Sequence, residues 1–325
     1  MSMKSRIHIH PYSLVSKTAL NAQSQRCEHH GVLIRTSDEH GHGYGCIHPW
    51  PELGDAGLEQ TLSMLRVGQL TALSQRALYC AKVDAEARRQ GVSLFKGLVV
   101  PRSHATLTMV EEGVSKAVDA GFDRVKLKVG RNVAEEVDFI RTQAGLFPDL
   151  LWRLDFNHAL DYQGVNKFLS NLGEEVRDKI DFIEDAHPCG ESQWVDALGP
   201  FGVPMAVDRE VEDACGGFAV AVVKPAINEP APILKCALEE SKRVVFTSYM
   251  DHPLGQCFAA WEAARARRDF TGVVDTCGLV THGLFQPDAF TNALGLPGPD
   301  FQPPAGTGLG FDELMENLSW KQLNI

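Results

Sequence analysis

Apolar and polar positions follow two different rhythms along the chain. From Arg6 to about Val15 the run RIHIHPYSLV alternates as a strand does. GVLIRT at residues 31–36 predicts a second strand, with the polar stretch SKTALNAQSQRCEHH between them. Two helices follow. DAGLEQTLSML opens on Asp55, placed to be its N-cap, and the segment from about Leu70 to Arg89 carries Ala, Leu, Gln and Arg with apolar residues at helical spacing. Strands and then helices, segregated in this way, predict a small α+β unit over residues 1–95.

After Leu94 short apolar runs alternate with amphipathic stretches. The runs are GLVV (97–100), RVKLKV (124–129), LWRLDF (151–156), DFIEDA (181–186), PMAVD (204–208), AVAVVK (219–224), RVVFTSY (243–249) and GVVDT (272–276). Helical stretches such as VEEGVSKAVDAG, NVAEEVDFIRTQAG and the Ala-rich run from Phe258 to Arg268 lie between them. Repeated strand–helix units imply parallel strands joined by right-handed crossovers. Eight strands close a TIM-type barrel, although an open doubly wound sheet has a similar linear pattern. Only Arg209 to Phe218 separate the fifth and sixth strands, so the helix there is expected to be short or missing. The barrel unit is expected over 96–290. The tail, 291–325, has loop glycines and a short helix in FQPPAGTGLGFDELMENL and is expected to return to the N-terminal unit.

With 325 residues there is room for about two domains, in line with the two rhythms. A net charge of −11 and the lack of any basic patch argue against nucleic acid or an anionic membrane as partner. No apolar run approaches the length of a membrane span, and MSMKSRIHIHP lacks the apolar stretch of a signal peptide, so a cytoplasmic protein is expected. Eight widely spaced cysteines with no CxxC pair read as free thiols of a reducing compartment.

In a barrel the chemistry sits where the strands end, at the C-terminal rim. On the second strand Lys126 and Lys128 share a face by the two-residue period, while Val125, Leu127 and Val129 take the other. Two inward ammonium groups need anions nearby. Asp155, Glu184 and Asp208 end the third, fourth and fifth strands, and Lys224 ends the sixth, across the mouth from Lys126 and Lys128. Singly, each has a bland reading: an Asp after a strand commonly caps the next helix, and alternating lysines guard a sheet edge. Together, on consecutive strands, they read as one site. Strands lie about 4.8 Å apart, so three carboxylates leaning inward can meet at one ion. An all-oxygen set suits Mg²⁺, or Mn²⁺ in its place, rather than zinc.

This pattern resembles the enolase superfamily, in particular its muconate lactonizing subgroup: Lys-x-Lys in AGFDRVKLKVG, then LDFN, FIEDAHP, MAVDRE and VVKPA. The resemblance implies a (β/α)7β TIM-type barrel with an N-terminal α+β capping domain, and a mobile loop over residues 16–28 that governs specificity. It implies Asp155, Glu184 and Asp208 as metal ligands, Lys128 as the base, and Lys126 and Lys224 as its catalytic partners, with the metal stabilising an enediolate. Asn157 is placed to orient the ligand Asp155. FIEDAHPC, AVAVVKPAI, RVVFTSYMDHPLGQ and VVDTCGL are most similar to the o-succinylbenzoate synthases of menaquinone biosynthesis, which implies dehydration of a small carboxylate substrate, with Thr247 and Ser248 near its succinyl end. Dipeptide epimerases of the subgroup carry Asp-x-Asp on the eighth strand, whereas Asp275 is followed here by Thr276 and Cys277. The alternatives are an N-acylamino acid racemase or cycloisomerase using the same lysines and metal, and a non-catalytic binding protein. Monomer and homo-oligomer are both compatible with the sequence.

The run His40-Gly41-His42-Gly43-Tyr44-Gly45, with His48, invites a metal or phosphate reading, but it does not join a strand to a helix and reads as a solvated turn. GTGLG at 306–310 reads as a loop for the same reason.

Overall fold

The computed structural model describes residues 6–18, 20, 26–39, 41–107, 109, 111–186, 199–212 and 218–324. Residues 19 and 21–25 of the expected 16–28 loop, and 213–217 of the link between the fifth and sixth barrel strands, fall outside these residues.

β1 (Arg6–Val15) pairs antiparallel with β2 (Glu28–Asp38) along its whole length, from Arg6 opposite Ser37 to Val15 opposite Glu28. β2 pairs in turn with β3 (Gly41–Ile47). β3 corrects the reading of the His/Gly run as a solvated turn. Its glycines serve packing: a Cβ at Gly43 would lie 2.1 Å from the carbonyl oxygen of Ala81, and one at Gly45 2.2 Å from that of Ala77. Both oxygens belong to α2 (Ala72–Arg89), which therefore approaches the strand backbone as only glycine allows. Tyr44 and Ile47 of the same strand are fully buried. α2 starts at a capping box formed by Thr71 and Ser74, close to the sequence expectation. α1 (Leu58–Arg66) starts later than expected, with Gly57 rather than Asp55 at its N-cap; Asp55 instead accepts the backbone N–H of Trp50 at 2.7 Å.

The second sheet is parallel and seven-stranded, in the order β10-β9-β8-β7-β6-β5-β4. Its strands are β4 (Ala105–Leu107), β5 (Arg124–Lys128), β6 (Leu151–Asp155), β7 (Ile180–Glu184), β8 (Met205–Val207), β9 (Val220–Val223) and β10 (Arg243–Phe246). The first is not GLVV. That run is a turn, with Leu98 N–H donating to Phe95 O and Val99 70% exposed, so its apolar character reports no burial. The eighth position is held by bridges alone: Val274 to Val244, Gly278 to Thr247 and Cys277 to Ser103. The last of these joins the eighth segment to the residues before β4, so the sheet curls into the expected TIM-type barrel. Helices Glu111–Asp119, Val133–Leu146, Tyr162–Leu172, Pro230–Glu239 and Pro253–Asp269 follow β4, β5, β6, β9 and β10.

The tail ends in β11 (Lys321–Gln322), which pairs with β1. The glycine loop before it is held by buried Asp84 of α2, which accepts the N–H groups of Leu309 (2.7 Å) and Tyr44 (3.0 Å). One apolar cluster fills the space between barrel and helices. A second joins Ile34, Ile47 and Trp50 of the N-terminal unit to Tyr249 and Phe285 beside the barrel mouth. Among the described residues no helix is long and apolar enough to cross a membrane.

Candidate active site

β5 alternates as its sequence requires. Val125 and Leu127 are buried among the helices, and Lys126 and Lys128 take the inner face. Parallel register sets Lys128 opposite Asp155, and Asp155 opposite Glu184, so the last residues of β5, β6 and β7 stand side by side at one rim. Asp208 follows β8 directly and Lys224 follows β9. Lys126 Nζ lies 3.0 Å from Asp155 Oδ2 and 2.6 Å from Glu184 Oε1. Lys224 Nζ is ion-paired with Asp208 Oδ2. Five of the six residues predicted for the site thus meet in ion pairs, and Lys128 stands beside them without one among the described residues.

These partnerships separate the three amines. Burial opposes the charge on Lys126, but Asp155 and Glu184 outweigh it and hold the pKa well above the usual lysine range. Burial opposes the charge on Lys224 too, and Asp208 raises its pKa. Lys128 moves the other way: burial lowers it, and the ammonium groups of Lys126 and Lys224 add to that against the pull of Asp155. Among the carboxylates, burial pushes Glu184 up to about 7, with Lys126 opposing and the charges of Asp155 and Asp208 adding to the rise.

The sequence predicts convergence of the three carboxylates on one ion, and as the side chains stand they do not converge: among the described residues no three His, Cys, Asp or Glu side chains form a group that could hold a metal. The physical reason is that Lys126 already bridges two of them and Lys224 holds the third, so the ammonium groups supply the countercharge. The chemistry of the donors nevertheless fits a hard divalent cation. All three are carboxylates, they end consecutive strands, and their mutual repulsion is felt at Glu184 even with Lys126 in contact. Binding such an ion requires the two lysines to yield carboxylate oxygens to it.

The supporting residues are local. Asn157, in the left-handed region at φ 47°, donates from Nδ2 to Asp155 Oδ1 at 2.6 Å. Asp185, unassigned in the sequence reading, also has positive φ (45°) and is buried; it accepts the N–H of Asp208 at 3.0 Å and that of Arg209 at 3.3 Å. It thereby fixes the backbone from which Asp208 projects. Arg209 lies 3.8 Å from Asp185 and 3.4 Å from Asn157, bracing both. Buried Glu136 accepts the N–H groups of Gly130, Arg131 and Asn132 and so ties down the loop that follows Lys128. Ser248 is committed to Thr281, 2.6 Å away, whereas the Thr247 hydroxyl is buried with no partner among the described residues, which makes Thr247 the better placed of the two to take a polar group.

At the other end of the barrel Arg153 donates to Asp181 (2.7 Å), Arg124 to Asp275 (2.7 Å), and Arg243 to both carboxylates (2.7 Å each). Asp275 therefore lies at the N-terminal end of the barrel, away from the site. The comparison with epimerases drawn from it is misplaced in height; the rim of the eighth segment is Leu279-Val280-Thr281, which also has no acidic residue.

A family model described as "O-succinylbenzoate synthase, N-terminal domain" matches residues 7–87. A curated o-succinylbenzoate synthase of Bdellovibrio bacteriovorus is 31% identical over 331 residues, covering 98% of this chain and 99% of that protein. Among solved structures, a mandelate racemase/muconate lactonizing protein from Herpetosiphon aurantiacus superposes with a TM-score of 0.77 at 17% identity, covering 94% of this chain and 96% of that one. Muconate lactonizing enzyme from Pseudomonas putida gives 0.71 at 18%, covering 97% and 99%. The L-Ala-D/L-Glu epimerase from Bacillus subtilis gives 0.75 at 16%, covering 95% and 98%. The structural likenesses establish the fold, and the full-length match decides the family: this chain belongs to the o-succinylbenzoate synthases.

Proposed function

We propose that the protein is a Mg²⁺-dependent o-succinylbenzoate synthase of the cytoplasm, a carbon–oxygen lyase acting in menaquinone biosynthesis. It would dehydrate a succinyl-substituted hydroxycyclohexadiene carboxylate to the aromatic product. The observation that carries this reading is the division of labour among three amines in one mouth. Two are held as ammonium by carboxylates, and the third, Lys128, is driven toward the neutral form by burial and by the other two.

A neutral amine is what proton abstraction needs. Lys128 Nζ would take the proton from the carbon α to the substrate carboxylate. The resulting Lys128 ammonium would return that proton to the departing hydroxyl on the same face, so that water leaves and the ring becomes aromatic. Lys224, charged and on the opposite side, would stabilise the anion, and Lys126 would keep Lys128 neutral. A Mg²⁺ held by Asp155, Glu184 and Asp208 would neutralise the charge growing on the substrate carboxylate.

The pair Lys128 and Lys224 also favours a second reading, an N-acylamino acid racemase or cycloisomerase, because a neutral amine facing an ammonium across one carbon is what proton exchange between two faces requires. One assay separates the two. Purified protein given the cyclohexadiene carboxylate with Mg²⁺ should produce the aromatic chromophore, and chelation by EDTA should stop it. Failure to form that product, together with solvent deuterium uptake into an N-acylamino acid, would replace the synthase with the racemase.

A further inference from the structure

Lys224 has a second neighbour besides Asp208. The ring of Tyr249 lies with its centroid 5.7 Å from Lys224 Nζ, within cation–π range. That ring is buried and gripped at both ends by a turn of the N-terminal unit. Its hydroxyl donates to Asp55 Oδ2 at 2.9 Å, and its backbone carbonyl accepts the indole N–H of Trp50 at 2.8 Å. Trp50 is fully buried and donates its own backbone N–H to the same Asp55 oxygen at 2.7 Å. Asp55, Trp50 and Tyr249 therefore form a closed clasp between the two units, with Lys224 on its barrel side. The electrostatics run along the same line: burial raises the Asp55 pKa, and the charge of Lys224 is among the influences that pull it back.

We propose that Tyr249 is a positioning residue for Lys224, and that through its bond to Asp55 the docked N-terminal unit sets where that ammonium reaches. The proposal deepens the reading above, since it takes Lys224 to face the substrate. If Asp208 turns to a metal ion, Lys224 gives up its carboxylate partner, and the Tyr249 ring is the contact that keeps it aimed. The hydroxyl holds the ring, and the ring holds the amine.

Three variants test this. Tyr249→Leu removes the ring, Tyr249→Phe keeps the ring and frees its tether, and Asp55→Asn removes the acceptor's charge. Tyr249→Leu is expected to lower kcat by at least tenfold with KM within about threefold and calorimetric Mg²⁺ affinity close to wild type, measured well below the Tm, which the loss of a buried ring lowers. Tyr249→Phe should recover most of kcat. Tyr249→Phe/Asp55→Asn should be no worse than the poorer single variant, because both changes cut one tether. Labelling of Lys224 by acetic anhydride in the Mg²⁺-loaded protein, read by mass spectrometry without substrate, should rise at least threefold in Tyr249→Leu as the amine is freed to solvent. Unchanged kcat and labelling in Tyr249→Leu overturn the proposal. So does a loss that falls on Tm and Mg²⁺ affinity alone, or losses that multiply in the double variant. If wild-type protein does not form the aromatic product, the synthase reading falls and the labelling alone decides the clasp.

Discussion

Lys126 and Lys128 sit two residues apart on one face of one strand, and what separates them is their partners. Lys126 contacts two carboxylates, while Lys128 has none within ion-pair distance among the described residues, and burial with two nearby ammonium groups outweighs the pull of Asp155 on it. Lys128→Ala is therefore expected to abolish turnover, with a loss of at least about a thousandfold in kcat, as removal of an essential base requires. Titration calorimetry should still find Mg²⁺ binding, because no carboxylate has been touched. Asp185 gives the complementary result. Its carboxylate holds the Asp208 and Arg209 amides, so Asp185→Ala is expected to weaken Mg²⁺ affinity by about 10–100-fold while leaving the amine at 128 in place. The six residues of the mouth were legible because each ends, or alternates along, a short parallel strand, and a two-residue period suffices to aim them. Arg153 shares that period with Asp155 and could have been read the same way. Asp185 and Arg209 could not, since Asp185 takes its part from a backbone turn at positive φ that no spacing announces, and Arg209 from its contacts with Asp185 and Asn157.

At the scale of elements, apolar content and burial come apart in both directions. GLVV has the composition of a strand, but Val99 is 70% exposed and the run turns; ATL at 105–107, shorter and less apolar, pairs with β5. GHGYGCI has the composition of a loop and forms β3, because glycine on one face lets a helix backbone lie against it while Tyr44 and Ile47 bury the rest. A methyl group at Gly45 would sit 2.2 Å from the Ala77 oxygen, so helix or strand must shift to admit it. Gly45→Ala is expected to lower stability by about 3 kcal/mol, at the upper end of overpacking penalties, and Gly43→Ala by a similar amount. Urea unfolding measures this directly. A change under about 1 kcal/mol at both sites would show that the strand and α2 are free to separate, contrary to the close approach described. Asp55 belongs to this scale too. Its place before a helix suggested a cap, and its use in a clasp to a residue 194 positions away is a tertiary choice beyond local sequence.

At the scale of the whole molecule, the junction between the N-terminal unit and the barrel buries groups that titrate. Asp251, just past β10, is 3% exposed and lies across the first turn of the helix Pro253–Asp269, its Oδ2 2.0 Å from where a Cβ on Gly255 would be. A helix N-terminus favours a carboxylate by about 0.3–1 kcal/mol, up to about 2 where it is partly buried. Burial wins here: it pushes the Asp251 carboxyl from 3.8 up to about 7 against its backbone hydrogen bonds, and Asp251 Oδ1 has no partner among the described residues. The sign follows from linkage. A carboxyl that binds its proton more tightly in the folded state favours folding below its unfolded pKa, and that advantage is lost as pH rises from about 4 to about 7. Buried His48 and His252 act oppositely. Burial lowers each to about 3, so the folded state binds fewer protons there and gains stability as pH rises toward 6.5. Absolute stability against pH therefore mixes opposing slopes, but a single substitution isolates one of them. Asp251→Asn should match wild type near pH 4 and grow more stable relative to it by about 1.4 kcal/mol per pH unit. The gap should level off above pH 7 at about 4 kcal/mol, the linkage equivalent of that pKa rise. Urea denaturation of both proteins at pH 4, 5.5, 7 and 8.5 measures the gap. A gap that is constant across these pH values would mean that Asp251 is charged throughout and that the junction admits water.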